Sequence, residues 1–206
     1  ELFSIAWNRL IYRRNNRNYE LLLNICYLVL NGMLQTTEDG SYKLIAFSDE
    51  QMQRLYEKFI LEYYKQHHPE LNPKSSKVKW NLTEQPNETM IQFLPTMQTD
   101  ITLRKDYKTL IIDAKYYSKA MAQNFTKETL RSAHLYQIFA YVKNMDTANT
   151  GNVSGLLLYA KTTDEVFPEG EPFVICGNSI GARTLDLNQK FQIISLQLDS
   201  IVNTYL

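Results

Sequence analysis

Cysteine is scarce in this 206-residue chain, which holds only Cys26 and Cys176. Two thiols so far apart fit neither a metal-binding spacing nor a disulfide framework, so both read as buried thiols in a reducing compartment. The sequons at Asn81 and Asn87 therefore carry no meaning. Net charge is missing too: 22 basic residues balance 22 acidic ones. No global field draws such a protein to DNA or membrane, and any nucleic-acid affinity must come from local clusters. The densest apolar run, Leu21 to Leu34, is interrupted by Asn24, Asn31 and Gly32 and is too short to span a bilayer. There is no signal peptide, no internal repeat and no low-complexity segment. The glycines at Gly177 and Gly181 lack the Gly-Lys-Ser/Thr of a phosphate-binding loop, so the chain itself is not expected to bind GTP. What remains is a soluble, cytoplasmic protein with an ordinary 44% of hydrophobic residues, enough for one sizeable core. The chain opens on Glu1-Leu2, without methionine, and reads as a piece of a longer protein.

The pattern of apolar residues predicts an α/β fold, a mixed central β-sheet flanked by helices, over residues 47–206. An N-terminal helical extension is expected over 1–46, as two helices split by Arg13 to Asn18. Ser48 and Gln51 suit a capping box. Met52, Leu55, Tyr56, Phe59, Ile60 and Tyr63 then follow at helical spacing, with Glu57 at the border of the stripe. The helix should end before Pro69, leaving His67 and His68 in a surface loop with no partner spacing. Strands are expected around Val78 to Leu82 and Thr89 to Phe93, and a buried one over Val153 to Lys161. Thr126 suits the start of a helix running to about Met145. Weaker strands fall at Pro172 to Gly177 and Arg183 to Asn188, and a closing helix at Gln189 to Tyr205.

Between these elements lies Leu94 to Ser118, an apolar hairpin that carries Asp100, Asp113 and Lys115. A turn centred on Asp106-Tyr107 sets Arg104 against Thr109, Leu103 against Leu110, Thr102 against Ile111 and Ile101 against Ile112. Asp100 then falls opposite Asp113. Alternation puts Ile101, Leu103, Leu110, Ile112 and Ala114 on one face, and Asp100, Asp113 and Lys115 on the other. Facing residues have Cβ atoms roughly 4.5–5.5 Å apart, where like charges repel. Two such carboxylates either share a proton or hold a cation. A bland alternative is a solvated face with one salt bridge, which an isolated Asp-x-Lys would favour. The facing aspartate, on a strand whose other side is wholly apolar, favours a metal site for phosphodiester hydrolysis.

With these residues in view, the chain resembles a known family. "TD" followed by a hairpin and "IIDAK" is similar to the PD-(D/E)XK nuclease signature. More narrowly, "LPTMQTDITL", "LIIDAKYY", "YQIFAYV" and "GLLLYA" together resemble McrC, the nuclease subunit of McrBC modification-dependent restriction systems. The resemblance implies a Mg²⁺-dependent endonuclease, with Mn²⁺ as a substitute, that cleaves double-stranded DNA by a metal-activated water. It also implies a separate McrB-like AAA+ GTPase partner, recognition of modified cytosine, and no membrane association. Carried over by position, it makes Asp100 and Asp113 metal ligands, with the Ala114 carbonyl as a third and Glu57 assisting. Lys115 supports the nucleophile, and Gln137 and Tyr141 match a Gln-x-x-x-Tyr helix motif. The proline of the signature is absent, since Thr99 precedes Asp100. The family's N-terminal region that docks onto the GTPase ring is not recognisable.

Two of these positions read either way from the residues alone: Glu57 as an edge-of-stripe surface charge, and Gln137 as a helix-edge glutamine in water. Arg104, Lys105, Lys108, Lys115, Lys119, Lys127 and Arg131 outnumber Asp106, Asp113 and Glu128, which suits a phosphate backbone. Arg104, Lys119, Tyr117 and Tyr141 are the candidate DNA contacts. The alternatives are a RecB-like nuclease of another defence or repair system, or a catalytically silent module that binds DNA or a partner.

Overall fold

The computed structural model describes residues 49–82, 88–116, 122–124, 127–161 and 170–206. The expected N-terminal helices, the Ser48 cap, Cys26, Thr126, Tyr117 and Lys119 lie outside them.

Helix α1, Asp49–His67, forms where the sequence pattern requires it. Tyr56, Ile60, Tyr63 and Tyr64 are its buried stripe, spaced three and four apart on one face. His67 ends this helix and is not in the loop expected for it. A 3-10 turn at Pro69–Leu71 follows, and between them His68 meets two carboxylates. Its Nε2 lies 2.8 Å from Asp199 Oδ1 and its Nδ1 3.2 Å from Glu70 Oε1.

The strand expected at Val78 to Leu82 shrinks to β1, Lys77–Val78. It pairs with β2, Met97–Gln98. The strand expected at Thr89 to Phe93 is instead a one-turn helix, α2, Glu88–Ile91. Met90, Ile91 and Phe93 are all exposed there. Alternation specifies a strand only where one face is buried, and these described side chains are not.

Strand β3, Ile101–Lys105, and β4, Lys108–Lys115, form the hairpin. Its register is Arg104 to Thr109, Leu103 to Leu110, Thr102 to Ile111 and Ile101 to Ile112, as the apolar pairing requires. A small hairpin follows, β5 (Ala122–Asn124) and β6 (Lys127–Thr129). It delays helix α3, Ser132–Met145, beyond the start expected at Thr126. Strand β7 is Val153–Ala160, β8 Phe173–Ile175 and β9 Asn178–Leu185, and helix α4, Phe191–Tyr205, closes the chain. Cys176 is exposed, not buried as expected. It and Gly177 take positive φ values of 48° and 84° in the turn between β8 and β9.

The sheet order is β3-β4-β7-β9-β8, with β4, β7 and β9 parallel and both edge strands antiparallel. Parallel strands carry helices on both faces, which explains the continuous apolar runs of β4 and β7. On one face Ile101, Leu103, Leu110, Ile112 and Leu156 pack with residues of α1 and α4. On the other, Ile111, Leu157, Tyr159 and Ile180 pack with Ile138, Tyr141 and Val142 of α3. Among the described residues no helix is long and apolar enough to cross a membrane.

Candidate active site

Beyond the last β3–β4 pair, at the C-terminal end of β4, the apolar pattern gives way to charge. Asp113 and Lys115 point to the α3 side and are buried, with relative exposures of 1% and 8%. Lys115 Nζ lies 2.8 Å from Asp113 Oδ2 and donates to Gln137 Oε1 on α3 at 3.1 Å. Gln137 Nε2 in turn donates to the Tyr141 hydroxyl at 3.0 Å. The half-buried Gln137 therefore links the Tyr141 hydroxyl to the lysine, and is not a helix-edge residue bonded only to water. Tyr141 is buried, so its ring packs in the core rather than facing a nucleic acid.

Asp100 approaches from the opposite strand in a way the register argument did not anticipate. The ladder stops at Ile101, and the Asp100 side chain accepts the N–H of Ala114 at 2.8 Å. A side-chain carboxylate thus takes the place of the next rung. Its position is set by Thr99, a buried residue that exchanges N–H and C=O contacts with Ser75 and Ser76.

Helix α1 supplies Glu57 and a residue the sequence reading missed, Gln53. Gln53 Nε2 donates to Glu57 Oε1 and to the Ala114 carbonyl, each at 2.6 Å. Gln53 Oε1 accepts the N–H of Tyr116 at 2.6 Å. The signal was available: Gln53 and Glu57 are four apart and share a helix face.

The electrostatics of the cluster are those of too much negative charge in too little water. Burial, then Asp113, then Glu57 push Asp100 up to about 7, against the opposing effect of the Ala114 N–H and Lys115. Burial also raises Asp113, although Lys115 works against it. Both Asp113 carboxylate oxygens are buried: Oδ2 faces Lys115 Nζ, and Oδ1 accepts no hydrogen bond. Such oxygens, beside a second carboxylate and a backbone carbonyl, are the hard donors a divalent cation prefers. The residues fit a small oxygen-ligated cation. Among the described residues no three His, Cys, Asp or Glu side chains converge closely enough to hold a metal, so Glu57 does not complete a three-carboxylate cage.

Arg104 is not brought to this centre. It lies four residues along β3 from Asp100, about 13 Å at strand rise, beside the exposed hairpin turn. On the α1 side, Asp100 and Glu57 border a cleft of about 490 Å³ also lined by Arg54, Lys58, Ser75 and Thr99.

Fold and site together define an α/β protein with a two-carboxylate, one-lysine centre at the end of a central strand. The family described as McrBC 5-methylcytosine restriction system component matches residues 4–160. The type IV methyl-directed restriction enzyme EcoKMcrBC of Escherichia coli K12 is 30% identical over 195 residues, which are 94% of this chain and 55% of that protein. The chain therefore spans about half the length of the curated relative it matches. A solved assembly of Thermococcus gammatolerans McrB AAA+ hexamers with bound McrC includes a similar fold, at a TM-score of 0.50 and 16% identity. That match covers 96% of this chain and 41% of the other. The chain belongs to the McrBC 5-methylcytosine restriction system component family, and within it is McrC-like.

Proposed function

We propose that this chain is the DNA-cleaving subunit of a McrBC-type restriction system, with a PD-(D/E)XK nuclease core that hydrolyses phosphodiester bonds with Mg²⁺ in the cytoplasm. The observation that carries the reading is the meeting of Asp100, Asp113 and Lys115 at the end of β4.

Asp100, Asp113 and the Ala114 carbonyl would hold the cation, and Mn²⁺ suits the same donors. When bound, the ion lowers the pKa of a water and neutralises charge on the scissile phosphate. Lys115, steadied by Gln137, supports the attacking nucleophile or the charge developing on the phosphate. Glu57 acts from outside the ligand set, through its charge on both aspartates. The cleft beside Asp100 is where double-stranded DNA reaches the centre, with Arg54 and Lys58 on its wall. Cleavage at modified cytosine depends on a separate McrB-type AAA+ GTPase, the partner of the relatives in the solved assembly.

The test is cleavage of cytosine-methylated DNA by the chain combined with a McrB-type subunit, Mg²⁺ and GTP. Activity that needs all three and disappears in Lys115→Ala, at a temperature where circular dichroism shows that variant folded, supports the reading. Wild-type cutting by Lys115→Ala would falsify it.

A further inference from the structure

Three hydrogen bonds bring Gln53 to the site without giving it any chemistry of its own. β3 stops pairing at Ile112, and the next backbone groups on that edge of β4 are the Ala114 N–H, the Ala114 carbonyl and the Tyr116 N–H. Asp100 accepts the first. The Gln53 amide takes the other two, as donor to Ala114 and acceptor from Tyr116. A primary amide carries an N–H and a C=O in one plane, as a peptide does, so a side chain from α1 continues the sheet edge by one unit. The same nitrogen also donates to Glu57.

The geometry points to Gln53 as a positioning residue: it fixes the Ala114 carbonyl, a donor oxygen beside Asp100 and Asp113 for a divalent cation, and ties Glu57, outside that ligand set, to the same nitrogen. This rests on the metal-dependent reading above. Without the amide, the Ala114–Tyr116 edge turns to water and the carbonyl loses its fixed direction. Glu57 also loses the donor that offsets its repulsion with the two aspartates. Partners that orient metal ligands from outside typically contribute about 10–100-fold to affinity.

The test is calorimetric titration of Mn²⁺ into the whole 206-residue chain, as wild type, Gln53→Met and Gln53→Asn. Methionine keeps the length and bulk of the side chain and loses all three hydrogen bonds. Asparagine keeps the amide but withdraws it by one methylene, and serves if the methionine variant does not fold. Both folded variants should bind Mn²⁺ at least about tenfold more weakly while melting close to wild type, and the Tyr116 amide should exchange faster in both. Wild-type affinity in either folded variant overturns the role given to Gln53. No uptake by the wild type, with or without a short duplex, overturns instead the metal reading and the positioning role together.

Discussion

Lys115 Nζ lies 2.8 Å from Asp113 Oδ2, and only 9% and 1% of the two side chains are exposed. A pair so enclosed is held by mutual need, because either charge alone would sit in a medium that cannot solvate it. Lys115→Ala should therefore lower stability by about 3–5 kcal/mol near pH 8, the usual effect of breaking a buried pair. The deficit should shrink at pH 5. Without its lysine Asp113 has a further raised folded pKa, so the destabilisation is absent at low pH, where the acid is neutral, and grows as pH rises. Urea unfolding at the two pH values measures this. Equal deficits would mean the pair is not the coupled unit described.

Asp100 makes a separate pH dependence. Its folded pKa of about 7 lies above the ordinary 3.8, so its contribution is fully present below about pH 4 and is lost as pH rises through 7. The chain without divalent ions should lose stability across that window. Asp100→Asn, neutral throughout, should flatten the slope. Thermal melts from pH 4 to 8 compare the two, and parallel curves would contradict the assignment.

Much of this centre was legible in the hairpin. Only one pairing of β3 with β4 buries Ile101, Leu103, Leu110 and Ile112 together, and that pairing brings Asp100 toward Asp113. What escaped reading depended on tertiary partners. Gln53 carries no charge and was passed over, and where a strand was expected at Thr89 to Phe93 the side chains of Met90, Ile91 and Phe93 are exposed. His68 meets Asp199 from 131 residues away, a pairing that no local spacing reveals.

Gly155 controls how closely α3 approaches β7. A Cβ there would stand 2.7 Å from Ile138 Cγ1 and 2.9 Å from Val142 Cγ2. Both side chains are fully buried, so they have little room to yield. Gly155→Ala should cost about 1–3 kcal/mol and lift Gln137 away from Lys115. Denaturant unfolding measures the first effect, and a stability equal to wild type would show that the helix shifts without strain.

Asp146 stabilises the end of α3 away from the site. It accepts from the Thr150 and Gly151 N–H groups and from Asn178 Nδ2 at 2.8–2.9 Å, and these donors outweigh its burial and hold it down near 2. A lowered acid pKa contributes stability above about pH 4 that is lost as pH falls through 2. Asp146→Asn turns one acceptor into a donor facing donors and should cost about 1–3 kcal/mol at pH 7. The difference from wild type should fade near pH 2, as followed by acid unfolding. A constant difference would place the effect in packing instead of charge.

On the proposed function, Asp113 of β4 and Asp100 beside it hold a divalent cation. Titration of Mn²⁺ into the wild-type chain and into Asp113→Asn tests it most directly, since asparagine keeps the shape and removes one charge. Binding by the wild type that disappears in the variant is the expected result. Equal binding by both, or none by the wild type even with a short duplex present, would contradict the claim.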